Sequence, residues 1–402
     1  MSSTTSRHLT ARQFAVGLAG YACFINLYSP QAVLPLLSQE FGAGPAEIST
    51  IMTASTLAVA LTAPFTGTVA DVLGRKRVIV AALVALTVPT VLAAMAPTLS
   101  ALIFWRFVQG LVLPPIFAVT IAYIGDEWPA REATAAAGFY TSGASLGGFS
   151  GRLFTGFLAD LVGWRFAFDV LAAMTLAGAV LVALLLPRER KFVRSQGLIA
   201  SGRQMLRHLR NPQLLATYAV GFGVLFNFIA TFTYISFRLA APPYNFSPTL
   251  LGAIFVTYLT GAAVAPWTGW VVGRFGRRRF VMGNIALWLV GIALTLATPV
   301  WAITLGLALC AGCGLITQAV STGYVTITAQ AGRSSAVGLY VTCFYLGGSV
   351  GAAMGGIAWN LAGWPACVAL VAAMLAIMAT IVITTWQRAP RIVPAGPIEP
   401  AE

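Results

Sequence analysis

Residues 63–77 read APFTGTVADVLGRKR, and residues 265–279 read APWTGWVVGRFGRRR. Eight of these fifteen positions are identical at an offset of 202. A second pair lies further on: GFYTSGASLGGFSGRLFTGFLADLVGWR at 138–165 and GLYVTCFYLGGSVGAAMGGIAWNLAGWP at 338–365 share ten of 28 positions at an offset of 200. The matches include Pro, Trp, Tyr and Arg, which sets them apart from chance pairing of Gly and Ala. The chain is a duplication of one unit.

That unit belongs in a bilayer. Of 402 residues, 58% are hydrophobic and 9% are charged, against roughly 25% charged in soluble domains. Continuous apolar runs of about 20 residues mark helical spans, whereas a barrel would show alternation over about ten residues. Twelve spans are expected at 13–37, 48–70, 78–96, 101–125, 134–158, 166–187, 213–238, 249–272, 280–298, 301–326, 334–358 and 366–386. The fold class is therefore all-α integral membrane, two pseudo-symmetric six-helix bundles in one chain.

The basic residues give the orientation. Of 24 Lys and Arg, all but Arg106, Arg152, Arg165 and Arg238 fall at the termini or in the even-numbered loops. Positive loops stay in the cytoplasm, so both termini are expected there, in a bacterial inner membrane. The net charge of +13 is thus topology, and nucleic acid is excluded as a partner. Residues 1–187 form the first bundle, 188–212 a basic cytoplasmic linker, 213–388 the second bundle and 389–402 a Pro-rich disordered tail. The five cysteines, Cys23, Cys310, Cys313, Cys343 and Cys367, lie in apolar segments without a His or a second pair. They read as packing residues. No metal site, cofactor or catalytic constellation is legible, and no GxxxxGK[ST] loop for an ATP-driven pump.

The loop after span 2, Gly67-Thr-Val-Ala-Asp71-Val-Leu-Gly74-Arg75-Lys76-Arg77, resembles the G-x-x-x-D-x-x-G-R-[KR]-[KR] motif of the major facilitator superfamily. A degenerate copy runs from Gly269 through Gly276 and Arg277, with Gly273 in place of Asp71. Span 4 carries Arg106-Phe-Val-Gln109-Gly110, similar to the R-x-x-Q-G signature of the twelve-span drug:proton antiporter branch. Gly143, Gly147, Gly148 and Gly151 in span 5 resemble that branch's Gly-rich antiporter motif, with Gly148 for the usual Pro and Arg152 where a small residue is common. The resemblance implies secondary transport by alternating access and tilts the direction toward export. It also implies that Asp71 helps latch the halves by reaching the N-terminus of span 11, and that Arg106 couples to proton or substrate.

The residues alone leave several roles open. Arg106 and Gln109 share a polar helix face inside the bundle, or Arg106 snorkels. Arg152 lies mid-span and needs a partner; Asp169 is the expected one, as a cavity pair for an anionic group and a proton or as a fixed ion pair. Asn26, Tyr28, Gln31, Asn227, Thr231, Tyr234, Gln318 and Tyr324 are candidate cavity groups or interhelical glue. Gly143, Gly147 and Gly151, with Gly347, Gly351 and Gly355, form stripes suited to close, sliding contact between the halves. No acid lies in the middle of span 1, 4 or 7. The expected function is proton-coupled export of a small organic molecule or drug; the alternative is a facilitator or importer of a sugar or organic anion. With both halves in one chain, a monomer is expected.

Overall fold

The computed structural model describes residues 2–189, 204–264, 267–329 and 332–386. It is helical, and the described residues contain no strand. Most of the basic linker and the whole Pro-rich tail lie outside the described residues.

The first half comprises α1 (Ser2–Leu27), α2 (Leu34–Phe41), the single turn α3 (Pro45–Ile48), α4 (Thr50–Leu73), α5 (Arg75–Ala94), α6 (Leu99–Glu127), α7 (Ala130–Leu161) and α8 (Trp164–Leu185). The second comprises α9 (Pro212–Ala240), α10 (Pro248–Ala253), α11 (Leu259–Val264), α12 (Thr268–Phe275), α13 (Arg277–Leu294), α14 (Val300–Thr328) and α15 (Arg333–Thr385). The helix α15 holds spans 11 and 12, which turn at Ala362 and at Gly363, φ +63°. Its copy in the first half is the α7–α8 turn at Gly163, φ +108°. Both turns need a left-handed residue, which glycine supplies without a Cβ clash.

Seven described helices are long and apolar enough to cross a membrane. They cover spans 2, 3, 4, 6, 7 and 10, and the seventh covers 11 and 12 together. The remaining expected spans differ for local reasons. Span 1 is not one helix: Pro30 and Pro35 remove backbone donors, and the chain leaves α1 at Leu27, makes a 3-10 turn at Ser29–Ala32 and resumes as α2. Span 8 is broken by a second 3-10 turn, Ile254–Tyr258, between α10 and α11. In α7 the apolar run is diluted by Gly, Ser and Arg152, and α13 opens on Arg277, Arg278 and Arg279.

The glycine stripes hold each half together, which corrects the expectation of sliding contact between halves. A Cβ at Gly143, Gly147 or Gly151 would collide with the backbone of Gly17, Tyr21 or Ile25 in α1. In the second half Gly347 and Gly351 meet the backbone of Phe222 and Phe226 in α9, and Gly355 the ring of Tyr234. Helices without side chains in the seam approach to backbone contact, the small-residue packing usual where lipid supplies no hydrophobic drive. The same two pairings, α7 on α1 and α15 on α9, are the structural form of the repeat.

The halves meet elsewhere. The helix α4 packs on α15, and α7 packs on α10 and the Ile254–Tyr258 turn. Gly156 lies against the Pro248 carbonyl, Gly252 against the Arg152 carbonyl and Gly356 against Ala46. The face carrying the termini is called here the terminus face, and the opposite one the far face. These contacts lie toward the far face.

Candidate functional site

The first half buries a polar network around Arg106. Its side chain is 1% exposed. One guanidinium nitrogen donates to the Asn26 carbonyl (3.0 Å) and to Gln109 Oε1; the other donates to the Leu27 carbonyl (2.6 Å) and Ser55 Oγ (3.4 Å). The two carbonyls belong to the last turn of α1, where the break at 28–33 leaves them without an intrahelical donor. A helix C-terminus is the negative end of its dipole, so Arg106 is held by a helix end in place of a carboxylate. Gln109 Nε2 donates to Thr90 Oγ1 (2.7 Å), Thr90 to Asn26 Oδ1 (3.2 Å), and Asn26 Nδ2 to Thr175 Oγ1 (2.7 Å). Five helices, α1, α4, α5, α6 and α8, are thereby tied together.

Arg152 sits between the halves. It is 3% exposed. Its Nε donates to Gln31 Oε1 (2.8 Å) and a terminal nitrogen to the Gly148 carbonyl (2.6 Å). Three rings surround the guanidinium carbon: Phe255 at 4.3 Å, Tyr28 at 4.7 Å and Tyr258 at 4.8 Å. Gln31 Nε2 in turn donates to Thr233 Oγ1 on α9 (3.2 Å). The expected partner, Asp169, is a correction. It is exposed on α8 and forms no hydrogen bond or ion pair among the described residues. It lies two residues after Ala167 and one after Phe168, whose side chains fill the buried face of α8, and so it points outward. No described Asp or Glu is buried; Arg106 and Arg152 are.

Further bonds between the halves close the far side. Tyr234 OH bonds to Ser49 Oγ and donates to the Ala352 carbonyl (both 2.6 Å). Ser349 Oγ donates to the Thr53 carbonyl (3.2 Å). Asp160 at the end of α7 accepts from the Thr249 amide (2.9 Å) and hydroxyl at the start of α10. Phe117 stacks on Tyr345 with centroids 5.8 Å apart. Among the described residues no hydrogen bond joins the two bundles nearer the terminus face.

At the terminus face the charged motif is paired within its own half. Arg75 reaches Asp71 (3.6 Å) and Asp126 (2.5 Å). Asp71 lies beyond the apolar span Pro45–Gly67. Its carboxyl is pushed above the ordinary range, chiefly by desolvation and also by Asp126, against the opposing pull of Arg75. Its expected contact with the start of span 11 falls on side chains outside the described residues; among the described residues its ion-pair partner is Arg75, which also binds Asp126 on α6. Gly74, φ +91°, packs against Glu189, and Glu189 Oε2 accepts from the Lys76 amide (3.4 Å), so the carboxylate sits at the positive end of α5. Arg77 is exposed, and Gly67 and Gly269 have no neighbour within 4 Å of an added Cβ. In the second copy Gly276 has φ +80° and Arg277 stacks on Tyr324 at 4.5 Å.

The other candidates divide. Asn26, Tyr28, Gln31 and Tyr234 join the two clusters above. Asn227 and Thr231 are buried in α9; Asn227 Nδ2 faces Met378 Sδ (3.5 Å), and Asn227 Oδ1 and Thr231 Oγ1 have no hydrogen-bond partner among the described residues. Tyr324 is no central group: its hydroxyl donates to Gln213 Oε1 (3.0 Å) beside Trp386, near the terminus face. Gln318 is half-buried on α14, where its carbonyl accepts from Tyr340 (3.5 Å). Sequence reading missed Ser55, Thr90, Thr175, Phe255 and Tyr258. Lone hydroxyls inside apolar spans were the available signal for the first three; for the two aromatics there was none beyond the span itself.

The model of the Major Facilitator Superfamily matches residues 14–242 and 227–401. The inner membrane transport protein YnfM of Escherichia coli is 33% identical over 363 residues, covering 89% of this chain and 86% of that protein. More distantly, the multidrug resistance protein Stp of Mycobacterium tuberculosis is 23% identical over 409 residues, covering 87% of this chain and 75% of its own. A crystal structure of the nucleoside transporter NupG superposes with a TM-score of 0.76 at 15% identity, over 93% of this chain and 100% of that one. The duplicated twelve-span architecture and these matches agree: the chain is a secondary transporter, not an enzyme, and belongs to the major facilitator superfamily.

Proposed function

We propose that the protein exports a small organic molecule from a bacterial cytoplasm in exchange for protons, acting as a monomer in the inner membrane with both termini inside. The observation that carries this reading is the one-sided closure: hydrogen bonds between the bundles lie at mid-membrane and toward the far face. That arrangement leaves the terminus side, among the described residues, without bonds between the bundles, and so as the side free to open, where an exporter would collect its cargo. The basic loops support a cytoplasmic terminus face, and similarity to the inner membrane transport protein YnfM and the multidrug resistance protein Stp favours an inner membrane and drug export. Residues 1–187 and 213–388 are the two rocking bodies, and 188–212 is the tether.

Protons need a carboxylate. Asp169 faces outward, so we assign the proton to the pair Asp71 and Asp126 around Arg75, where desolvation already favours a protonated Asp71. One observation favours a facilitator instead: no described acid is buried along the path. Sealed proteoliposomes loaded with a pH dye separate the two. Proton movement triggered by substrate and lost in Asp71→Asn supports antiport. Saturable substrate flux with no proton movement refutes it and leaves facilitated transport.

A further inference from the structure

Arg152 is a buried cation whose bonds, Gln31 Oε1, the Gly148 carbonyl and three aromatic faces, are all neutral. A charge in a membrane interior without a countercharge is costly and marks function. The duplication provides an internal control. The copy of position 152 is Ala352, and the interface there closes on α4 through Tyr234, Ser49 and the Ala352 carbonyl with no charge at all. Packing of the halves therefore does not call for an arginine.

Two helix breaks converge on the guanidinium, one from each half. Tyr28 and Gln31 come from the segment between α1 and α2, and Phe255 and Tyr258 from the turn between α10 and α11. Broken helices meeting near the midplane are where transporters of this architecture place their ligand sites. The end of α7 at Leu161 is nine residues away, about 13 Å along the axis, so the site is deep.

The cage also depends on the conformational state. Phe255, Tyr258 and Thr233 belong to the second half, while Tyr28, Gln31 and Gly148 stay with Arg152. Separation of the halves at the far face removes two of the three rings and the Gln31–Thr233 bond. The guanidinium is then left with two neutral acceptors and one ring. A carboxylate or phosphate binds guanidinium in two parallel charge-assisted bonds, stronger than either neutral acceptor. The retained Tyr28 ring would flank an apolar body attached to it. We propose that Arg152 is the anion-binding group of the translocation path and that the transported molecule is an organic anion with an apolar or aromatic body. This deepens the transporter reading and rests on it, but not on the export direction: the cage opens with the far face, so the anion meets Arg152 from that side or leaves toward it.

The test is counterflow in proteoliposomes with radiolabelled benzoate, phenylacetate and cinnamate as anions, uridine and arabinose as neutral probes, and tetraphenylphosphonium as a cation. Expected is saturable counterflow of at least one anion, with KM raised about tenfold or more in Arg152→Gln, since loss of a charged hydrogen-bond pair costs about that factor. Arg152→Lys should recover part of the affinity. Arg152→Ala, which installs the residue of the second copy, checks folding. A measurement on the wild type alone, thermal stabilisation by the anions and none by uridine, applies should the variants misfold. Counterflow of uridine, arabinose or tetraphenylphosphonium with none of the anions, or anion counterflow with unchanged KM in Arg152→Gln, overturns the proposal and leaves transport standing. Silence from every probe, with no thermal stabilisation by the anions, overturns the proposal and leaves the family assignment standing; proton-coupled export is judged separately by the pH-dye experiment.

Discussion

Gln109→Leu removes the side chain that bridges Arg106 and Thr90 without changing the volume of α6 much. In the wild type Gln109 Oε1 accepts from Arg106, and its amide donates to Thr90 Oγ1 at 2.7 Å. Thr90 retains bonds to Asn26 and to the Leu86 carbonyl at 2.7 Å, so little is lost there. Arg106 loses one acceptor in a site that is 1% exposed and already leaves its Nε unpaired. A hydrogen bond to a charged group contributes about 1.5–3 kcal/mol. Unfolding entropy scales with chain length, so each kcal/mol moves the Tm of a chain this long by on the order of 1 °C. The expected loss is therefore about 2–4 °C, read by thermal unfolding in detergent. Arg106→Met should cost more, since it leaves the Leu27 carbonyl without its donor and the Asn26 carbonyl with the Ser29 hydroxyl alone. The double variant should cost less than the sum of the two, because removing the charge removes the need for its acceptor. An unchanged Tm in Gln109→Leu, or strict additivity in the double variant, would refute the picture of Arg106 as a charge held by this network.

Three other outcomes are expected. Gly147→Ala drives a Cβ into the Tyr21 backbone and should destabilise by about 1–3 kcal/mol, whereas Gly138→Ala, with nothing within 4 Å, should be neutral or stabilising by about 1 kcal/mol; equal Tm values for the two would contradict the seam. Tyr234→Phe loses its bonds to Ser49 and the Ala352 carbonyl, and should raise the reaction rate of Ala46→Cys with an impermeant maleimide by about two- to tenfold. Asp71 has a folded pKa above its unfolded one, so its stabilising contribution is complete below the unfolded pKa and is lost as pH rises through the folded value. Acidification through that window should raise the Tm of the wild type relative to Asp71→Asn; parallel pH profiles would show that Asp71 is not the titrating group.

The positions of Arg106 and Arg152 illustrate how far a sequence carries. That Arg152 is buried and needs a partner followed from its depth in an apolar span, whereas Arg106, nearer a span end, was equally readable as snorkelling. Which partner did not follow. Asp169 was the one acid inside an expected span, yet side-chain direction on α8 turns it outward, and helical phase relative to neighbours is a property of packing. Carbonyls at a helix end became the partner of Arg106 only because α1 stops at Leu27, a consequence of Pro30 and Pro35 in a particular tertiary setting. The aromatic cage of Arg152 joins Tyr28 of the first half to Phe255 and Tyr258 of the second, more than two hundred positions further along the chain.

Membrane residence, twelve spans and the duplication were determined by the sequence alone. Hydropathy acts on each segment independently, and identity between copies needs no coordinates. The two helix breaks, the assignment of glycine seams to the interior of each half, the neutral surroundings of Arg152 and the one-sided closure were decided only by tertiary structure. Each of these depends on which helices touch and in what rotation, and a hydrophobic period of 3.6 residues says that a face is buried without saying against what.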